Sequence, residues 1–174
     1  MNESYIDVND KIIRNRAKFY KRNGKGLENT PEVNNSYKIA GGGILSTSTD
    51  LLKFGNAVLN SFNGSIDDKH ALLTKETATN LFSNQTAKMD NFYCLGFVNY
   101  PFNGKYSGEQ SFKRSGYWYH TGAGSGACSI LLIKPDENGN KENDLVVALL
   151  VNLQDCSGSL TNLALEIAEI FNSA

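Results

Sequence analysis

Residues Gly116 to Pro135 read GYWYHTGAGSGACSILLIKP. An aromatic run and an aliphatic run flank a short Gly- and Ser-rich break, which is the pattern of a β-hairpin turning at Ser125-Gly126. The first strand ends unusually. After Tyr117, Trp118 and Tyr119 come His120, Thr121, Gly122 and Ala123, small or polar residues where a packed strand would continue with bulk. Such an ending is either a strand running into a Gly-rich loop or an edge left open for a substrate. The aromatics themselves read first as packing and second as the lining of a cleft.

Upstream, AGGGILSTSTDLLKFGNAVLNSFNG spans Ala40 to Gly64. Thr47 is an N-cap candidate with Asp50 three residues on, near the positive end of the helix dipole. Leu51, Leu52, Phe54, Val58 and Leu59 follow at helical spacing, and Gly64 lies past the expected helix end. Gly41, Gly42 and Gly43 allow a sharp turn into this helix. They are not a phosphate loop, because the Lys and Ser/Thr of a P-loop are missing. LLTKETATNLFSNQT reads as a second helix with Thr74 as N-cap and Leu81 and Phe82 on its buried side. FYCLGFVNY reads as a strand, PFNGKYSGEQ as a loop, and KPDENGNKEND as a turn-rich link. DLVVALLVNL reads as a strand that can be buried on both faces. SLTNLALEIAEIFN is an amphipathic helix with Leu160, Leu163, Ala164, Ile167 and Phe171 along one face. Before all of this, residues 1–38 form a loop-rich lead-in. Within it, IIRNRAKFY is a candidate short strand, and KRNGKG and NTPEVNNSY read as turns and loop. Residues 39–90 form the helical part, and residues 91–174 hold the sheet strands and the last helix. The expected class is α+β, an antiparallel sheet flanked by helices.

Bulk properties narrow the function classes. Of 174 residues, 17 are Lys or Arg and 18 are Asp or Glu, giving a net charge of -1 that offers nucleic acid or an anionic membrane no attracting field. No apolar run approaches the ~18 residues of a membrane span, and the start of the chain has no signal-peptide core. The chain therefore reads as beginning inside something larger. Cys94, Cys128 and Cys156 are widely spaced, and only His70 and His120 stand beside them as soft ligands, so a structural zinc site is not expected. An odd cysteine count points to reduced thiols rather than a disulfide framework. Asp67-Asp68 and Asp136-Glu137 are paired acids in polar loops, too short for a Ca²⁺ loop.

The segment HTGAGSG, His120 to Gly126, resembles the third motif of the serine β-lactamases and penicillin-binding proteins, usually Lys-Thr-Gly. Ala40 to Leu59 resembles the segment that precedes it in the class C-like branch. With RNRAKFY and NTPEVNNSYK, the likeness covers roughly residues 11–170 and points to the mitochondrial branch of that family found in animals. It implies the C-terminal part of a β-lactamase/transpeptidase-like fold, residues 1–174 forming one partial domain. It also implies acyl transfer through an acyl-serine, peptide or ester substrates, a mitochondrial location and no cofactor or metal. By the same resemblance His120, Thr121, Gly122 and Ala123 bind substrate. Thr121 offers a hydroxyl, Gly122 allows close approach, and the Ala123 N–H is one oxyanion donor, a type of group whose loss costs about 10²–10³ in rate. His120 stands where the family has Lys. A free imidazole, with pKa about 6.5, is mostly neutral where Lys is cationic, so it binds a carboxylate less strongly and suits a peptidase or esterase.

Two family motifs are absent. No Ser or Thr is followed by Lys three residues on, and no Tyr-x-Asn occurs. The one Ser-x-Asn, Ser61-Phe62-Asn63, falls at a helix terminus. Cys128 near His120 is a weak alternative nucleophile without an orienting third residue. Ser115, Ser125 and Ser129 have no recognisable base. The chain is thus expected to supply a substrate-binding strand but no nucleophile, and to be inactive alone. The competing expectation is a non-catalytic module that self-associates or binds a partner through an unpaired sheet edge.

Overall fold

The structure is a computed structural model and describes residues 1–64, 71–83, 93–100 and 116–172. In chain order its elements are β1 (Tyr5–Ile6), β2 (Tyr20–Asn23), β3 (Gly26–Asn29), a 3₁₀ turn (Ser36–Lys38), α1 (Ile39–Gly42), β4 (Ile44–Leu45) and α2 (Ser48–Asn63). They continue with α3 (Lys75–Leu81), β5 (Val98–Tyr100), β6 (Tyr117–Gly124), β7 (Ala127–Lys134), a 3₁₀ turn (Lys141–Asn143), β8 (Leu145–Val151) and α4 (Ser157–Asn172). The main sheet is a four-stranded antiparallel meander in the order β5-β6-β7-β8. It is the α+β arrangement expected from the sequence.

The β6–β7 hairpin forms where its pattern placed it. Gly124 pairs with Ala127 across the Ser125–Gly126 turn, and Trp118 pairs with Ile133 six rungs back. Pleating sends alternate side chains to opposite faces. Tyr117, Ile130, Leu132 and Val147 face Leu160, Ala164, Leu165 and Ala168 of α4. Trp118, Leu131 and Ile133 face Val58, Leu59 and Phe82 of the α2–α3 pair. The sheet is therefore the middle of three layers, and Ile130, Leu132 and Ile133 are fully buried. Each such side chain contributes about 1.5–3 kcal/mol by leaving water. Phe82 stacks on Trp118 with centroids 3.5 Å apart, and Phe62 meets the same indole edge-on at 4.6 Å.

Helix α2 begins and ends as its residues dictate. The Thr47 hydroxyl accepts from the Asp50 N–H at 3.2 Å, and Gly64 closes the C-terminus in the left-handed region with φ 62°. Gly55 lets the helix lie close to the sheet, since a β-carbon there would stand 2.5 Å from Val146 Cγ1. Thr74 caps α3 in the same manner, accepting from the Thr77 N–H at 3.2 Å. That helix stops at Leu81, shorter than the pattern suggested, with Phe82 turned into the core.

Several expectations are corrected. Residues 12–19 are not a strand; pairing starts at Tyr20, and the lead-in holds a β-ribbon, β2–β3, that turns at Gly24–Lys25. FYCLGFVNY is a strand only from Val98, because Cys94 to Phe97 fold back in a turn closed by the Cys94 N–H to the Phe97 carbonyl at 2.7 Å. The glycines before α2 form one helical turn, α1, rather than a plain bend. Strand β8 is covered on both faces as expected, Val147 and Leu149 toward α4 and Val146 and Ala148 toward α2, but most of its residues are only half-buried. It is the sheet edge, with Leu150 exposed, whereas β7, flanked by strands on both sides, is buried on both faces. On α4 the buried stripe is Leu160, Ala164, Leu165 and Ala168, while Leu163 and Phe171 stand exposed at 46% and 68%. The helix lies rotated toward its small residues, which allow close approach to the sheet.

Two buried acids anchor the lead-in. The Asp50 carboxylate accepts from the Glu3 N–H at 2.8 Å, the Ser4 hydroxyl at 3.0 Å and Lys53 at 3.2 Å. Asp7 accepts from the Asn35 amide at 2.8 Å, and its other oxygen lies 2.5 Å from the Arg16 guanidinium, an ion pair rather than a well-aligned hydrogen bond.

Candidate functional site

His120 to Gly124 is the half of β6 that β5 does not reach. Strand β5 pairs only with Tyr117 to Tyr119, so among the described residues the outer edge of His120–Gly124 has no strand partner. Its inner edge is held by β7 through Gly124. In a two-residue hairpin the closing pair exchanges hydrogen bonds, and bonding alternates from there along an antiparallel ladder. Counting back from Gly124 and Ala127, the backbone groups of Gly122 and His120 turn toward β7, and those of Thr121 and Ala123 turn toward the open edge.

The hairpin tip is braced. The Tyr20 N–H donates to the Gly126 carbonyl at 3.3 Å, and Gln154 N–H donates to the Tyr20 carbonyl at 2.9 Å. The Asn152 amide donates to the Lys18 carbonyl at 3.0 Å. The start of the β2–β3 ribbon thus joins the hairpin tip to the segment after β8.

Side chains of the four expected site residues do not share a face. His120 lies opposite Leu131 and Gly122 opposite Ser129, on the α2–α3 side; Thr121 lies opposite Ile130 and Ala123 opposite Cys128, on the α4 side. What the four share is the edge. His120 is exposed, and its Nε2 is 2.7 Å from the Tyr93 hydroxyl, with the rings edge-on. A β-carbon on Gly122 would meet the Ser129 hydroxyl, which would have to rotate away, so glycine leaves this rung of the strand unobstructed.

Tyr93 was not legible as a site residue. It stands 27 positions before His120, and it arrives there because the Cys94–Phe97 turn folds it back against Val98, beside Tyr119 on β6. Gly96, with φ 87°, was the available hint of that turn. Cys128 cannot serve His120 as a nucleophile, since the two point to opposite faces of the sheet. The Ser61-Asn63 pair has structural duties. Ser61 is buried, donates to the Ala57 carbonyl at 2.9 Å and accepts from the Leu73 N–H at 3.2 Å; the Asn63 amide donates to Asp144 at 2.6 Å. Asp136 uses its carboxylate inside its own turn, accepting from the Asn138 and Asn140 N–H groups at 2.8 and 2.9 Å. Backbone donation from Asn140 leads the effects that hold its carboxyl below the usual range against partial burial. Among the described residues no three His, Cys, Asp or Glu side chains gather as metal ligands. His70, Asp67, Asp68 and Ser115, like the Pro101–Gln110 loop, lie outside the described residues.

An edge of this kind can take an extended chain as an added strand, and an outward N–H at Ala123 can meet a carbonyl oxygen. Comparison with known proteins bears on that chemistry. The family model described as Beta-lactamase matches residues 1–170. The chain is 34% identical over 189 aligned positions to the human protein named serine beta-lactamase-like protein LACTB, mitochondrial, and 35% identical to the bovine protein of the same name. Each alignment covers 95% of this chain and 33% of the relative, so the chain spans about a third of the length of these relatives.

Proposed function

Since the chain belongs to the β-lactamase family, we propose that it forms the substrate-binding side of a serine hydrolase active site, of peptidase or esterase type, whose attacking serine lies outside these residues. The observation that carries this reading is the edge at Thr121 and Ala123, which no described strand covers and which is braced from behind by β7 and at its tip by the β2–β3 ribbon. An extended peptide or acyl chain lies along that edge, pairing with the Thr121 backbone. Its scissile carbonyl seats with the oxygen toward the Ala123 N–H. As serine adds to the carbonyl carbon, negative charge develops on that oxygen, and a fixed N–H stabilises it more than it stabilises the ground-state carbonyl. Collapse gives an acyl-serine, which water then hydrolyses.

His120 borders the same edge, held by Tyr93. A Tyr93 hydroxyl donating to Nε2 leaves the imidazole proton on Nδ1, one oriented donor for the substrate or leaving group. The resting assembly calls for no metal or organic cofactor in this reading. A mitochondrial compartment is proposed from the names of the relatives. Self-association is the second reading, favoured by Leu163 and Phe171 standing exposed on α4.

The test uses the longer protein that contains this chain. Its serine is labelled with a tagged fluorophosphonate, and turnover is measured on peptide, ester and β-lactam substrates. Ala123→Pro removes the outward N–H without breaking a bond to β7, and Pro is tolerated at sheet edges. The expected result is a fall in kcat of about 10²–10³-fold, with slower labelling and an unchanged circular dichroism spectrum. Unchanged turnover in Ala123→Pro, or in His120→Ala combined with Thr121→Val, would take the strand out of catalysis and leave the association reading.

A further inference from the structure

Behind the substrate edge, on the α4 face of the sheet, two cysteines meet. Cys128 of β7 lies directly across from Ala123 and is buried, 3% exposed. Its sulfur accepts from the Cys156 N–H at 3.3 Å and from the Ser157 hydroxyl at 3.4 Å, at the first turn of the 16-residue helix α4. The Cys156 thiol stands against the same sulfur and also donates to the Leu153 carbonyl at 3.2 Å. Cys156 is partly exposed, so one member of the pair is reachable from solvent and the other is not. Both are free thiols. A sulfur this near the partner's own backbone nitrogen lies within the reach of that partner's side chain, as a disulfide with a Cα separation of about 4.4–6.8 Å requires.

We propose that Cys128 and Cys156 form a disulfide-closing thiol pair whose oxidant is a low-molecular-weight disulfide. The Cys156 thiolate attacks one sulfur of RSSR, forming a Cys156–S–SR mixed disulfide and releasing RS⁻. The Cys128 thiolate then attacks the Cys156 sulfur and expels the second RS⁻. The protein gives up two electrons and two protons, and the oxidant departs as two RSH. The resolving step suits Cys128. Burial pushes its thiol up, but the hydrogen bonds from Ser157 and Cys156 outweigh that and hold it below its ordinary value, which favours it as the resolving nucleophile, whereas burial raises the Cys156 thiol and slows the opening attack. The closed bond would tie the strand behind Ala123 to the start of α4. Cys94 is a built-in control: it is buried, and its thiol donates to the Phe82 carbonyl at 3.1 Å on the far side of the sheet.

The reduced, folded protein that contains this chain is incubated with oxidised glutathione, quenched with an alkylating agent and mapped by mass spectrometry after denaturing digestion. The expected product is a linked Cys128–Cys156 peptide with Cys94 alkylated. Cys128→Ser is expected to stall as a glutathione adduct on Cys156, and Ser157→Ala to slow closure several-fold while still forming the linked peptide. In the unaltered chain, a persistent adduct on Cys156 with Cys128 recovered as a free thiol overturns the proposal, as do three unreacted thiols. None of these readouts depends on hydrolytic activity, so they stand apart from the function proposed above.

Discussion

At Gly126 the backbone takes φ 81°, and a β-carbon there would stand 2.5 Å from Phe19 Cβ and 2.7 Å from Thr30 Oγ1. Gly126→Ala therefore meets two penalties, a left-handed backbone and contact with the ribbon that braces the tip. The expected loss is about 2–3 kcal/mol, read as a shift in the denaturant midpoint. This residue was readable from sequence as a turn position but not as the joint between hairpin and lead-in. The partners Phe19 and Thr30 are about a hundred positions away, and nothing local announces them. His120 shows the same limit: its type and place on a strand are local facts, whereas the Tyr93 hydroxyl at 2.7 Å depends on a turn elsewhere.

At the scale of elements, the helix signals were reliable where they were chemical. Thr47 and Thr74 satisfy N–H groups that any helix leaves unpaired, so their role follows from composition alone. Thr47→Ala is expected to cost about 1 kcal/mol in thermal or denaturant unfolding, because the Asp50 N–H loses its acceptor at a half-buried helix start. Signals resting on burial were weaker. An apolar strand pattern does not say whether a strand is central or at an edge, and β8 looked as buried as β7 until its place in the sheet was known. On α4 the apolar residues outnumber one face, and packing against the sheet selected Ala164 and Ala168 over Leu163 and Phe171.

For the whole molecule, the lead-in depends on charge. Burial pushes the Asp50 carboxyl up, but donation from the Glu3 N–H, Lys53 and Ser4 outweighs it and leaves the group below the usual carboxylate range. A depressed carboxylate stabilises the fold fully above its unfolded value, about pH 4, and that contribution is lost as pH falls through the lower folded value. Acidification below about pH 4 is thus expected to loosen β1 from β4 before the main sheet opens. Hydrogen exchange at Tyr5 and Ile6 measured from about pH 6 downward checks this, with Asp50→Asn removing the pH dependence of that segment. If exchange there rises only together with exchange in β7, the lead-in is not a separate unit.

The amino-acid sequence by itself determined the hairpin from Tyr117 to Lys134, the two capped helix starts, the α+β class and the strand that carries His120, Thr121, Gly122 and Ala123. Each rests on interactions within a few residues, such as side-chain alternation, N-cap hydroxyls and a glycine at a tight turn. Only the tertiary structure decided that no described strand pairs with the outer edge of β6 beyond Tyr119, that Tyr93 holds His120, and that Cys128 meets Cys156. Those facts need chain segments far apart in sequence to be brought together, and what brings them together is the burial of a common core, which local patterns do not encode.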